Sequence, residues 1–120
     1  MEWTIGFHDE FEPEFEALPA DVQDELLAHA KVLARIGPTL GRPHVDTLIG
    51  SKHANMKEMR FEAANGVWRV AFAFDPTRAA VLLVAGDKGG VSQKRFYRAL
   101  IERADKRFDR HLAALCKKEK

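Results

Sequence analysis

Hydrophobic and polar positions alternate from the start of the chain: Trp3, Ile5 and Phe7 fall on one side, Glu2, Thr4 and Gly6 on the other. A repeat of two belongs to a half-buried strand, so residues 2–7 are expected to enter a sheet. Asp9 followed by Glu12 reads as a helix start, because a carboxylate there accepts bonds from unpaired N–H groups. Pro13 is tolerated because it falls in the first turn. Pro19 opens a second helix with Val22, Leu26, Ala30 and Leu33 on one side, and Gly37-Pro38 stops it. Two helices joined at Leu18-Pro19 form a hairpin.

Residues 38–55 follow neither period and read as a long connection, a kind of loop that often carries function. Strands come next. Met56–Ala63, the pair Asn65-Gly66 and Val67–Phe74 give a hairpin signal, since Asn-Gly favours the positive φ angles of a tight turn. A turn at Asp75–Arg78 leads to Ala79–Ala85, an apolar and therefore central strand. Gly86–Ser92 is a loop. From Ser92 to Leu115, Phe96, Leu100, Ile101, Ala104, Phe108, Leu112 and Leu115 recur at helical spacing. The order β-α-α-β-β-β-α predicts an α+β fold, an antiparallel-dominated sheet with helices packed mainly on one face. A chain of 120 residues fits a single domain over 1–120.

Strand alternation locates the charges. Met59, Phe61 and Ala63 share one face of the second strand, and Glu58, Arg60 and Glu62 the other. In the third strand Trp68, Val70, Phe72 and Phe74 oppose Val67, Arg69, Ala71 and Ala73. A two-residue turn at Asn65-Gly66 would set Glu62 opposite Arg69, with Arg60 a diagonal neighbour. Arg60 and Arg69 then stand together on a sheet face free of helices, beside a depression left by the alanines. Glu58 and Glu62 could simply pair them, and surface pairs contribute only ~0–1 kcal/mol. With Lys57 and Lys88 at the strand ends, phosphate recognition becomes the stronger reading, because arginine's planar fork suits it.

Composition refines this picture. Net charge is only +1, yet residues 1–37 hold nine acidic and two basic side chains, whereas residues 38–120 hold 17 basic and nine acidic. That division, −7 against +8, points to one basic face for a phosphate-rich partner, or to two halves that neutralise each other across the fold. The single cysteine, Cys116, excludes an internal disulfide. The acidic start lacks the pattern of a signal peptide, no apolar run is long enough to span a membrane, and the cytoplasm is expected. The five histidines and Cys116 form no zinc pattern. The lysines at 117, 118 and 120 read as a solvated terminus.

The segment LIGSKHANMKEMRFEAANGVWRVAFAFD, followed by AAVLLVAGDKGG and a C-terminal helix, resembles the RelE/HigB toxins, especially their phage-derived, HigB-like branch. The likeness lies in Lys57, Glu58, Met59 and Arg60, then Arg69, Val70 and Phe72, then the basic Lys88 after the last strand, and it covers nearly the whole chain. It implies a toxin of a type II toxin–antitoxin system: a metal-free, cofactor-free endoribonuclease that cuts mRNA on the ribosome. It also implies neutralisation by a HigA-like helix-turn-helix antitoxin in a hetero-oligomeric complex. The implied chemistry is attack of a ribose 2′-OH on the adjacent phosphate, leaving a cyclic phosphate and a 5′-OH.

Such a reaction needs a base, cations for the phosphorane charge and an acid for the leaving oxygen. On the resemblance, Arg60 and Arg69 stabilise charge, and Lys57 and Lys88 position phosphates or share proton transfer. Tyr97, His53 and His44 are proton-transfer candidates, and Lys52, Lys94 and Arg95 would hold RNA. Within the same fold, the alternatives are a ParE-like inhibitor that binds DNA gyrase, or a degenerate toxin acting only through its antitoxin on their operon. A shared fold does not decide among them.

Overall fold

The computed structural model describes residues 2–118, the last by its backbone alone, so Lys120 and the Lys118 side chain lie outside the described residues. Its elements are β1 (Thr4–Phe7), α1 (Glu12–Glu16), α2 (Ala20–Ile36), β2 (Val45–Thr47), β3 (Met56–Ala63), β4 (Gly66–Phe74), β5 (Ala79–Asp87) and α3 (Gln93–Lys118). A short 3₁₀ turn over Gly37–Thr39 follows α2. Five strands form one sheet in the order β1-β5-β4-β3-β2. Only β1 runs parallel to its neighbour; the other pairings are antiparallel. The α+β class and the antiparallel-dominated sheet hold, and every predicted element is present.

Helices on one face is the expectation that fails. One core, with Val22, Leu26 and Leu33 of α2, covers Met59, Phe61, Val70, Phe72 and Leu82. A second, with Leu100, Ala104 and Phe108 of α3, covers Met56, Ala71, Ala73, Val81 and Leu83 on the opposite face. The reason is β5, whose residues from Ala80 to Val84 are all buried. A strand apolar on both sides needs a layer on each. Ala71 and Ala73 are accordingly the seat of α3 and form no open depression.

Three local expectations are also corrected. The segment 38–55 contains β2, too short to show a period, with buried Val45 and Leu48. The hairpin turns at Ala64 and Asn65, whose φ angles are 50° and 61°, as a type I′ turn requires. Gly66 already belongs to β4, paired with Ala63. Its glycine serves a different need: a Cβ there would lie 2.6 Å from Asp87 Oδ2. Finally, Asp9 caps nothing in α1; the His8 carbonyl accepts from Phe11 N and Glu12 N, and His8 Nδ1 accepts from Glu10 N.

The acidic and basic halves of the chain do meet. Arg107 of α3, 6% exposed, donates to both carboxylate oxygens of Glu14 at 2.8 and 2.5 Å and to the Leu83 carbonyl at 2.7 Å. Arg110 pairs with Glu10. Partial neutralisation is therefore real, and it fastens the C-terminal half of α3 to α1 and the turn before it. Among the described residues, no helix is long and apolar enough to cross a membrane.

Candidate active site

The one-residue shift in the hairpin changes who faces whom. Arg60 pairs directly with Arg69, and Glu62 with Val67. The two arginines share one face, as the alternation predicted, but that face carries α3 instead of being free of helices as expected; they lie beyond the part that α3 fills. Like charges directly opposite each other destabilise a sheet, so the arrangement persists only with compensation. Arg60 obtains it from Glu58 on its own strand: Nε and Nη2 lie 2.7 and 2.6 Å from Oε1. Arg69 donates from Nε to the Tyr97 hydroxyl at 2.8 Å and from Nη1 to the Val67 carbonyl at 3.2 Å. Its guanidinium also lies 5.6 Å from the Phe96 ring centroid and 5.7 Å from that of Tyr97. Cation–π contact of this kind adds attraction at little desolvation.

Tyr97 joins the two strands. Arg60 Nη2 reaches its hydroxyl at 3.5 Å, so two guanidiniums converge on one phenol oxygen. Burial and the adjacent Glu58 carboxylate raise the phenol's pKa, and the pull of Arg69 in the other direction is smaller. Tyr97 therefore stays protonated across the physiological range. Glu58 is only 2% exposed. Its Oε1 is taken by Arg60, while Oε2 is buried without a hydrogen-bond partner, which is costly for an acceptor and rare. Glu58 in turn raises the pKa of the Arg60 guanidinium.

These groups border a cleft of about 530 Å³. Glu58 and Arg60 of β3 line it, with Asp46–Ile49 on one side and Gln93, Lys94 and Tyr97 from the start of α3 on the other. Its size falls within the range of small-molecule sites. Ser92 starts α3 by accepting from Arg95 N at 3.3 Å, which sets the first turn of the helix at the cleft. Among the described residues, no three His, Cys, Asp or Glu side chains converge to hold a metal ion.

The remaining sequence candidates divide. Lys94 lines the cleft. Lys88 sits in the turn after β5, half-buried. Arg95 borders a different groove, with Val84, Gly86 and Phe96. Lys57 shares its face with Met59 and bonds Thr47 Oγ1 at 3.2 Å, so it lies on the other side of the sheet from Arg60. His44 also lies apart, beside His29 on the α2 side with ring centroids 5.7 Å apart. His53 donates from Nε2 to Asp109 Oδ1 at 2.8 Å and rests edge-on against Phe108. Lys52 pairs with Asp109 as well, and Ser51 bonds Asp105 at 2.5 Å. Lys52 and His53 thus strap the loop to α3. Glu58 is the functional candidate that sequence reasoning set aside as a mere partner. Its burial was not readable, because the residues that cover it come from distant segments.

Comparison with known proteins places the chain in a family. Residues 13–109 match the family model described as "Phage derived protein Gp49-like (DUF891)". Two Mycobacterium tuberculosis proteins carrying toxin names are similar. The chain is 44% identical to HigB3 over 100 residues, 83% of this chain and 85% of that one. It is 42% identical to HigB2 over 97 residues, 80% of this chain and 48% of the other, so it spans about half the length of that relative. The structure of a double-arginine mutant of the Escherichia coli toxin RelE in the free state superimposes with a TM-score of 0.61 at 13% identity, covering 89% of this chain and 98% of that one. At that identity the likeness is one of fold. The chain belongs to the phage-derived Gp49-like family, among the RelE/HigB-type toxins.

Proposed function

We propose that the protein is the toxin of a type II toxin–antitoxin pair and that it cuts mRNA on the ribosome by 2′-OH attack without a metal ion. The observation that carries this reading is the convergence of Arg60 and Arg69 on the Tyr97 hydroxyl at the edge of a cleft. A structural role does not call for two cations set directly opposite each other; a pentavalent phosphate, with its extra negative charge, does. Arginine remains charged throughout such a reaction.

The steps follow from the groups present. Glu58, the carboxylate that lines the cleft beside Arg60, takes the proton of the ribose 2′-OH. The freed oxygen bonds to the adjacent phosphorus, and Arg60 and Arg69 hold the equatorial oxygens. The bond from phosphorus to the 5′ oxygen breaks, and Tyr97, protonated by virtue of its raised pKa, donates to that leaving oxygen. The products are a 2′,3′-cyclic phosphate and a 5′-OH. Lys94 at the cleft, with Lys88 and Arg95 nearby in sequence, contributes sequence-independent attraction for flanking phosphates, which weakens with salt. Lys57, His44, Lys52 and His53 take no part in the chemistry. A HigA-like antitoxin neutralises the toxin.

The test is to map mRNA 5′ ends in cells arrested by the protein, beside Arg69→Ala and Tyr97→Phe. New 5′-OH ends that vanish with Arg69→Ala are expected, and co-expression of a HigA-like antitoxin should restore growth. Arrest without new ends, or ends that persist in both variants, would overturn the ribonuclease assignment. Arg60→Ala is a poorer probe, since it strands the buried Glu58 carboxylate.

A further inference from the structure

We infer that the cleft beside Arg60 holds the nucleoside on the 5′ side of the cut, and that Asp46 reads its base, favouring bases with an exocyclic amino group over uracil. This deepens the ribonuclease reading and rests on it. Three observations lead there.

The first is the sign of the cleft. Asp46 pairs with Glu58 across β2 and β3, so both carboxylates share one face and both line the cleft. A phosphate seated inside would meet two negative charges. It belongs instead at Arg60 and Arg69, with the sugar and base extending into the acidic end. The second is the demand for donors. Glu58 and Asp46 both bring acceptors to the cleft wall, which suit the hydroxyls and amino groups of a nucleoside. Asp46 Oδ1 accepts from Thr47 N at 2.8 Å, leaving Oδ2, whose nearest cation is the exposed Arg42 at 3.8 Å. Such an exposed pair is weak and easily displaced. Asp46 is 45% exposed at its side chain, within reach of a bound base.

The third is the wall. Ile49, 87% exposed, and the aromatic Tyr97 of α3 both line the cleft. Apolar and aromatic surfaces are where unstacked bases rest, and proteins read such bases at their Watson–Crick edges. A carboxylate at that edge accepts from the amino groups of adenine, cytosine or guanine. It faces the O4 carbonyl of uracil with like polarity. One such contact corresponds to roughly tenfold discrimination.

The experiment uses a ribosome-programmed translation reaction with reporter mRNAs that differ only in the nucleotide 5′ to the cut. Cleavage by the wild type is expected to be about tenfold slower with uracil. Asp46→Asn, whose amide can donate to O4, should raise uracil relative to the other three bases, and Asp46→Ala should flatten the preference. Total cleavage at the preferred base should fall by less than it does for Arg69→Ala. Wild-type cleavage that is indifferent to the base, or a preference left unchanged by both substitutions, overturns the role of Asp46 while the nuclease stands. No cleavage by the wild type overturns both.

Discussion

The two halves of α3 use the same residue types to opposite ends. In the C-terminal half every charged group that matters is spoken for: Arg107 with Glu14, Arg110 with Glu10, Asp109 with Lys52 and His53, His111 with Asp75. In the N-terminal half Lys94, Arg95 and Arg98 are exposed, with no ion pair among the described residues. Tyr97 there accepts from Arg69 and Arg60 beside the cleft. Paired charges hold the helix; of the unpaired ones, Lys94 lines the cleft. Charge alone does not distinguish a fastening from a site, but the state of its partners does.

Substitutions can break that division, and the largest effect is expected at the cleft. Arg69→Ala should lower cleavage by about 10²–10³-fold, the usual cost of losing one preorganised transition-state donor, with the urea midpoint nearly unchanged. Arg107→Ala should do the reverse. It removes a buried guanidinium and leaves the Leu83 carbonyl and Glu14 unpaired, at a cost of about 2–4 kcal/mol. Equilibrium urea unfolding reads that loss, and cleavage per folded molecule should persist. Equal loss of stability in both variants would erase the distinction.

Smaller effects sharpen it. Tyr97→Phe keeps the ring over Arg69 and removes the proposed proton donor, so cleavage should fall by about 10- to 100-fold. Stability should change by about 1 kcal/mol or less. The smallest effect concerns pH. Burial lowers the pKa of His8 from its ordinary 6.5, with Glu10 opposing. The unfolded chain then binds the proton more readily than the folded one, so stability is present at higher pH and declines as pH falls below 6.5. Urea midpoints at pH 7.5, 6.5 and 5.5 (three chosen conditions, about one unit apart) should fall less steeply for His8→Gln than for the wild type.

Much of this division was legible in the sequence. The period of two in β3 and β4 put Arg60 and Arg69 on one face, and the resemblance to RelE/HigB toxins chose the same residues for chemistry. The same alternation already set Lys57 with Met59 on the far face; a resemblance to a basic motif obscured it. The register error has a local cause: Asn-Gly is the common type I′ pair, whereas here Ala64-Asn65 turns and Gly66 yields to the Asp87 carboxylate. Lys52 and His53 were unreadable for another reason. Their partner, Asp109, lies 56 residues beyond His53, and no local pattern announces a strap of that span.

The pairing of β1 with β5 carries a consequence for the making of the protein. Thr4 finds its partner at Ala79, and Glu14 finds Arg107 93 residues away. Contacts between such distant positions form late and slowly, because a long loop must close before they stabilise anything. During synthesis the arginine pair of β3 and β4 emerges before Tyr97, and Tyr97 before Arg107. A nascent chain therefore carries its cations to the ribosome surface before it can align them. Arg60, Arg69 and Tyr97 can meet once the first turns of α3 are free, whereas the fastening of that helix waits for Arg107, so the cluster forms before the helix that carries it is secured.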